Sequence, residues 1–125
     1  MPKYDSKNFD PPAPVAYVTL RHPATGATVS NVPMLMDTGA DVTFLPREAI
    51  RQLDIAPIEN KIYEVEGFTS GTALVEVVQA EISFLGKRFK GQFLATDQPM
   101  GILGRNILNS VQILLDGLNG YWDEA

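Results

Sequence analysis

The chain has no cysteine in its 125 residues. Disulfide frameworks, thiolate metal sites and cysteine nucleophiles are therefore excluded from the start. Histidine is nearly as scarce. His22 stands alone, in the turn-like stretch Arg21-His22-Pro23-Ala24-Thr25-Gly26. One histidine without clustered carboxylates makes a poor metal site, and nothing near it resembles a nucleophile elbow that could complete a serine–histidine pair. Positive charge is short as well: ten Lys and Arg face fifteen Asp and Glu, the formal net charge is -5, and no basic run exceeds Lys87-Arg88. Phosphate binding needs a basic face, so nucleic acid is not expected as a partner. Long apolar runs are missing too. No stretch approaches the roughly 18 residues of a membrane span. The beginning, Met1-Pro2-Lys3-Tyr4-Asp5-Ser6-Lys7, holds no apolar core for a signal peptide. A cytoplasmic protein is the expectation, with no membrane partner, no metal and no cofactor.

What is present is an ordinary globular composition, 45% hydrophobic and 20% charged, at the length of one domain. Residues 1–13 are polar and carry Pro2, Pro11 and Pro12, which predicts a flexible, extended N-terminal arm. Residues 14–125 read as the folded domain. Short β-rich segments recur through it. A strand over 15–20 and a turn at 22–26 lead into an apolar approach over 32–36. A short strand follows over 42–45, then a short helix over 46–53 with proline in its first turn, where the missing N–H costs nothing. An alternating strand over 61–66, the glycine-framed turn Gly67-Phe68-Thr69-Ser70-Gly71 and a long strand over 72–85 predict a protruding hairpin. A strand over 88–95, one or two helical turns over 105–110 and a last strand over 111–115 complete the count. Seven to nine short strands with two short helices predict an all-β, barrel-like domain.

The organising stretch is Asp37-Thr38-Gly39-Ala40-Asp41. The apolar run Val32-Pro33-Met34-Leu35-Met36 delivers the chain to it, and Val42-Thr43-Phe44-Leu45 carries the chain away. A carboxylate at the end of a buried strand is costly unless it has a use. Hydrolysing a peptide with carboxylates needs two of them on one water. One is ionised and takes the water's proton, and the other is protonated and polarises the carbonyl. Gly39 permits a tight turn and a close backbone approach, Thr38 offers a hydroxyl that can be tied down beneath the carboxylates, and Ala40 adds no polar group. A serine at 40 could hydrogen-bond the carboxylate and alanine cannot, so activity is expected at mildly acidic to neutral pH.

Met34-Leu35-Met36-Asp37-Thr38-Gly39-Ala40-Asp41 resembles the active-site motif of retroviral-type aspartic proteases, the retropepsins. Ile102-Leu103-Gly104-Arg105-Asn106 resembles the same family's segment that crosses under the active-site loop and starts its single helix. The resemblance runs over about residues 15–115 and implies a retropepsin-like closed barrel of short strands, with one or two short helices and a flap hairpin, acting as a homodimer. It implies that Asp37 is the catalytic aspartate, that Thr38 bonds across the dimer and that the Gly39 carbonyl receives substrate backbone. It implies that Asp41 helps bind the substrate main chain and pairs with Arg105. It further places Gly67, Phe68 and Gly71 at the flap tip, Met100 and Ile102 at side-chain pockets, and Ala40, Gly104, Arg105 and Asn106 in structural support of the site. Val42 and Leu74 are expected at the same pockets.

The chain departs from the family in a flap tip poorer in glycine and in a longer C-terminal stretch through Tyr121-Trp122. Asp116-Gly117 lacks the threonine of the motif and reads as a turn. With one Asp-Thr-Gly in the chain, a catalytic pair requires a second copy. The expectation is therefore a free-standing aspartic endopeptidase, homodimeric, whose substrates are extended peptides or unfolded protein. The alternative is a non-catalytic dimeric module that keeps the fold to bind a peptide or a protein.

Overall fold

The computed structural model describes residues 1–59, 61–66 and 72–125. The predicted hairpin tip, with Gly67, Phe68 and Gly71, lies outside the described residues. Nine strands and two short helices follow one another among the described residues: β1 (Val15–Arg21), β2 (Thr28–Met36), β3 (Phe44–Pro46), α1 (Arg47–Gln52), β4 (Ile62–Glu66), β5 (Thr72–Phe84), β6 (Lys87–Thr96), β7 (Gly101–Leu103), α2 (Arg105–Leu108), β8 (Ile113–Asp116) and β9 (Tyr121–Glu124). None of the described helices is long and apolar enough to cross a membrane.

Six strands close on themselves in the order β1-β2-β7-β3-β6-β5, because β5 also pairs with β1. The alternation in the sequence explains the closure. Ala16, Val18 and Leu20 of β1, Val32, Met34 and Met36 of β2, and Val78, Ala80, Ile82 and Phe84 of β5 are all buried in one apolar cluster. Each set recurs at every second residue, so each strand turns one face inward. The helix α1 is one residue shorter at each end than predicted, and it seats Ala49, Ile50 and Leu53 against the same core.

The long strand β5 does two jobs. Its second half pairs with β6, from Val77↔Leu94 to Phe84↔Lys87. Its first half pairs with β4, from Ile62↔Glu76 to Glu66↔Thr72. In that first half Leu74 is 70% exposed, and Ile62 on β4 is 63% exposed, so this hairpin leaves the barrel.

The seam that closes the barrel carries a buried carboxylate. Glu81 is 5% exposed and lies between Arg21 on β1 and Lys90 on β6. Arg21 Nη1 donates to Glu81 Oε2 at 3.2 Å, and Lys90 Nζ lies 3.6 Å from Oε1. Arg21 is part-exposed and Lys90 is exposed, which weakens the pairs, but the Glu81 carboxylate itself is buried. Glu81→Gln is expected to cost about 1–2 kcal/mol, seen as a lower urea midpoint with an unchanged slope.

Under the barrel, β8 and β9 form a separate two-stranded sheet. The strand β9 was not expected; its short run is marked in the sequence only by Tyr121 and Trp122. Trp122 anchors it. Its indole is 5% exposed, its Nε1 donates to the Val15 carbonyl at 3.0 Å, and its ring centroid lies 6.1 Å from that of Phe84. The N-terminal segment expected as an arm runs beside this sheet. Tyr4 N donates to Gly120 O at 2.8 Å and Trp122 N to Pro2 O at 3.0 Å. Asp116 ends β8 in a turn. Its carboxylate accepts from Asn119 N and Nδ2, and these bonds hold its carboxyl below the usual range.

Candidate active site

The strand β7 sits between β2 and β3. It runs parallel to β2, pairing Leu35↔Ile102 and Met36↔Leu103, and antiparallel to β3 through Phe44↔Ile102. The chain therefore leaves the sheet at Met36 on one side of β7 and re-enters at Phe44 on the other. Residues 37–43 form a loop that straddles the end of β7. This topology carries Asp37 to a strand end and holds it there.

The loop is fixed by backbone bonds to the crossing segment. Asp37 N donates to Leu103 O at 3.0 Å, Ala40 N to Asp37 O at 3.1 Å, and Arg105 N to Ala40 O at 2.8 Å. Asp37 is half-buried. Gly39 N donates to its Oδ1 at 2.9 Å, so a backbone dipole orients the carboxylate. A Cβ on Gly39 would lie 3.0 Å from that same oxygen. The glycine is needed so that the turn can bring its N–H to the carboxylate without a side chain pressing on it.

Gly104 is where loop and crossing segment touch. A Cβ there would meet Val42 O at 2.2 Å and Ala40 O at 3.0 Å. Beneath them lies Thr43, fully buried. Its hydroxyl accepts from Gly104 N at 3.0 Å and donates to Asn106 Oδ1 at 2.7 Å. One hydroxyl thus ties the returning strand to both the crossing point and the start of α2. Sequence reasoning did not single out Thr43; the available signal was a hydroxyl inside an apolar run, which must find a partner when buried. Thr43→Val keeps the shape and removes both bonds. It is expected to cost about 1–3 kcal/mol, measured by urea unfolding, with Thr43→Ser recovering most of the loss.

Arg105 has a different partner from the expected one. Its Nη1 donates to the Thr38 carbonyl at 2.6 Å, and no ion pair joins it to Asp41 among the described residues. The guanidinium reaches the backbone of the loop first, and Asp41 stays exposed. Thr38 is also exposed. Ala40 sits between them as the acceptor for Arg105 N.

Met100 and Ile102 are brought together with Leu35 around one cavity of about 520 Å³. Val42 is not part of it: with Val77 and Phe93 it lines a separate cavity of about 250 Å³. Elsewhere, His22 Nδ1 accepts from Ala24 N and Thr25 N within its turn. No group of three His, Asp or Glu among the described residues is placed to hold a metal.

The sequence profile of retroviral aspartyl proteases matches residues 15–116, which span β1 through β8 and include the whole straddling loop. The chain belongs to the retroviral aspartyl protease family. Its barrel is also similar to solved structures of viral proteases. The EIAV protease complexed with the inhibitor HBY-793 superposes with a TM-score of 0.57 at 24% identity, covering 86% of this chain and 91% of that one. The foamy viral protease-reverse transcriptase in complex with an RNA/DNA hybrid matches with a TM-score of 0.53 at 16% identity over 80% of this chain. A second foamy viral structure, with double-stranded DNA, gives 0.54 at 14% identity over 77% of this chain. The chain spans only 12% and 15% of the length of those two foamy viral chains. At such identities these likenesses speak to fold. The expected closed all-β barrel, with one or two short helices, is thus the retropepsin fold, and membership of the retroviral aspartyl protease family supports a protease.

Proposed function

We propose that the chain is an aspartic endopeptidase that works as a homodimer, with Asp37 of each copy facing its mate across a two-fold axis. The observation that carries this reading is the straddling loop: Asp37 is held by Leu103 and oriented by Gly39, at the end of a strand, without a second Asp-Thr-Gly in the chain to complete a pair. A C2 arrangement supplies the second carboxylate from the same surface of a second copy. Exposed Thr38 is free to meet its mate, and the exposed leucines 114, 115 and 118 of the C-terminal hairpin offer apolar area for association.

In that dimer the two carboxyls share one proton, the arrangement already known for aspartic-protease pairs. The ionised one takes a proton from a water held between them. The water oxygen attacks the scissile carbonyl carbon while the protonated carboxyl donates to the carbonyl oxygen. Collapse of the tetrahedral adduct breaks the C–N bond: the carboxyl that took the water's proton gives it to the departing amine, and the other, now ionised, takes a proton back from a hydroxyl of the adduct, which leaves as the new carboxylic acid. The substrate lies extended, as a strand, with the β4–β5 hairpin above it. Asp41 and the hairpin tip bind its main chain, and Met100 and Ile102 face its side chains. The test is cleavage of an unstructured protein and a peptide library by the purified chain, with the same chain carrying Asp37→Asn alongside. Cleavage by the first and not the second is the expected result. No cleavage from acidic to neutral pH would leave a non-catalytic peptide-binding module as the better reading, and equal cleavage by both would show that Asp37 does not activate the water.

A further inference from the structure

We propose that the N-terminal loop over residues 6–12 is a wall of the substrate pocket beside Asp37, and that Phe9 sets the size of the side chain admitted there. The inference rests on the protease reading above and adds a specificity element from a segment outside the family match at 15–116.

The outer face of the barrel next to the site is apolar. Along β2, Leu35 alternates with buried Met34 and Met36, so it points away from the core. Its neighbour across the β2–β7 ladder is Ile102, also only half-buried. At about 3.3 Å per residue, Leu35 lies roughly 7 Å along the strand from Asp37. A peptide laid across the carboxylate would therefore place a side chain near the scissile bond against Leu35 and Ile102. The cavity there, about 520 Å³, is not bounded by the barrel alone. Asp5, Asn8 and Phe9 line it together with Leu35, Met100 and Ile102.

The loop is built to stay in place. Its base is closed by Asp5 N donating to Ala13 O at 2.8 Å and Ala13 N to Asp5 O at 3.2 Å. Inside it the Asp5 carboxylate accepts from Lys7 N and Asn8 N, each at 2.9 Å, and from Asn8 Nδ2 at 2.8 Å. These bonds fix the residue just before Phe9. The segment before the loop is bonded to the C-terminal hairpin through Tyr4 and Gly120. Phe9 is thus a half-buried aromatic on an anchored loop in an otherwise polar segment, facing an apolar pocket. The volume lies within the range of small-ligand sites and suits a large apolar side chain.

The test has two parts. In the first, the chain is labelled at Met methyl groups and titrated with an extended peptide carrying phenylalanine at its centre, then with the same peptide carrying aspartate. The Met100 methyl signal is expected to shift with the first peptide and not the second, and Phe9→Ala is expected to alter that shift. This reading needs no catalysis, so it separates the pocket from the protease reading. In the second, kcat/KM is compared across peptides that differ only beside the scissile bond. Phe9→Ala is expected to favour tryptophan over leucine by roughly 10-fold relative to the parent chain, and Phe9→Trp to disfavour it by a similar factor. Thermal midpoints of both variants report whether each is folded. Unchanged side-chain preference in two folded variants, or a Met100 signal indifferent to the apolar peptide, would overturn the proposal.

Discussion

Replacing Asp37 by asparagine is expected to lower peptide cleavage by roughly 10³-fold or more, with the folded structure intact. The substitution is nearly isosteric. An asparagine Oδ1 can still accept from Gly39 N, the bond that orients the carboxylate at 2.9 Å, and the backbone bond to Leu103 O does not involve the side chain. What is lost is the ability to take a proton from water and to share one with a mate. The thermal midpoint should therefore stay close to that of the parent chain while kcat collapses. A variant that retained activity would show that another group activates the water.

Gly104→Ala is expected to have the largest effect on the fold, roughly 3 kcal/mol or more. The added methyl would sit 2.2 Å from the Val42 carbonyl oxygen and 3.0 Å from that of Ala40. Both are backbone atoms of the straddling loop, so no flexible side chain can swing aside. Relief requires the loop to move off the end of β7, which would break Arg105 N to Ala40 O and Asp37 N to Leu103 O. The variant should unfold at a markedly lower urea midpoint, and whatever folds should cleave poorly because Asp37 is displaced. A stability loss under 1 kcal/mol would mean that loop and crossing segment are less closely packed than these distances require.

Much of this site was legible because its parts are local. Strand, carboxylate, glycine turn and returning strand are consecutive from Val32 to Leu45, and period-two burial in β1, β2 and β5 follows from alternation visible in the residues themselves. Gly104 was legible as a crossing point only through likeness, because the contact it makes lies 62 positions away at Val42. Thr43 and Arg105 show what pattern does not carry. Both choose partners by distance in space: Thr43 takes Gly104 and Asn106, and Arg105 takes the Thr38 carbonyl rather than Asp41. The strand β9 was missed because four residues ending in Asp123-Glu124 hold too little β signal, and its place comes from Trp122 reaching Val15. Phe9 was hidden for the same reason. A single aromatic in a polar, proline-rich segment says nothing of which face of the barrel that segment covers.

Mixing subunits tests most directly whether one site is made from two chains. The parent chain and the Asp37→Asn chain are combined at equal amounts, allowed to exchange, and assayed at constant total protein. If each site needs Asp37 from both copies, mixed dimers are inactive and activity falls to about a quarter of that of the parent alone. Activity at about half, in simple proportion to the parent chains present, would contradict the account, because each chain would then be carrying a complete site by itself.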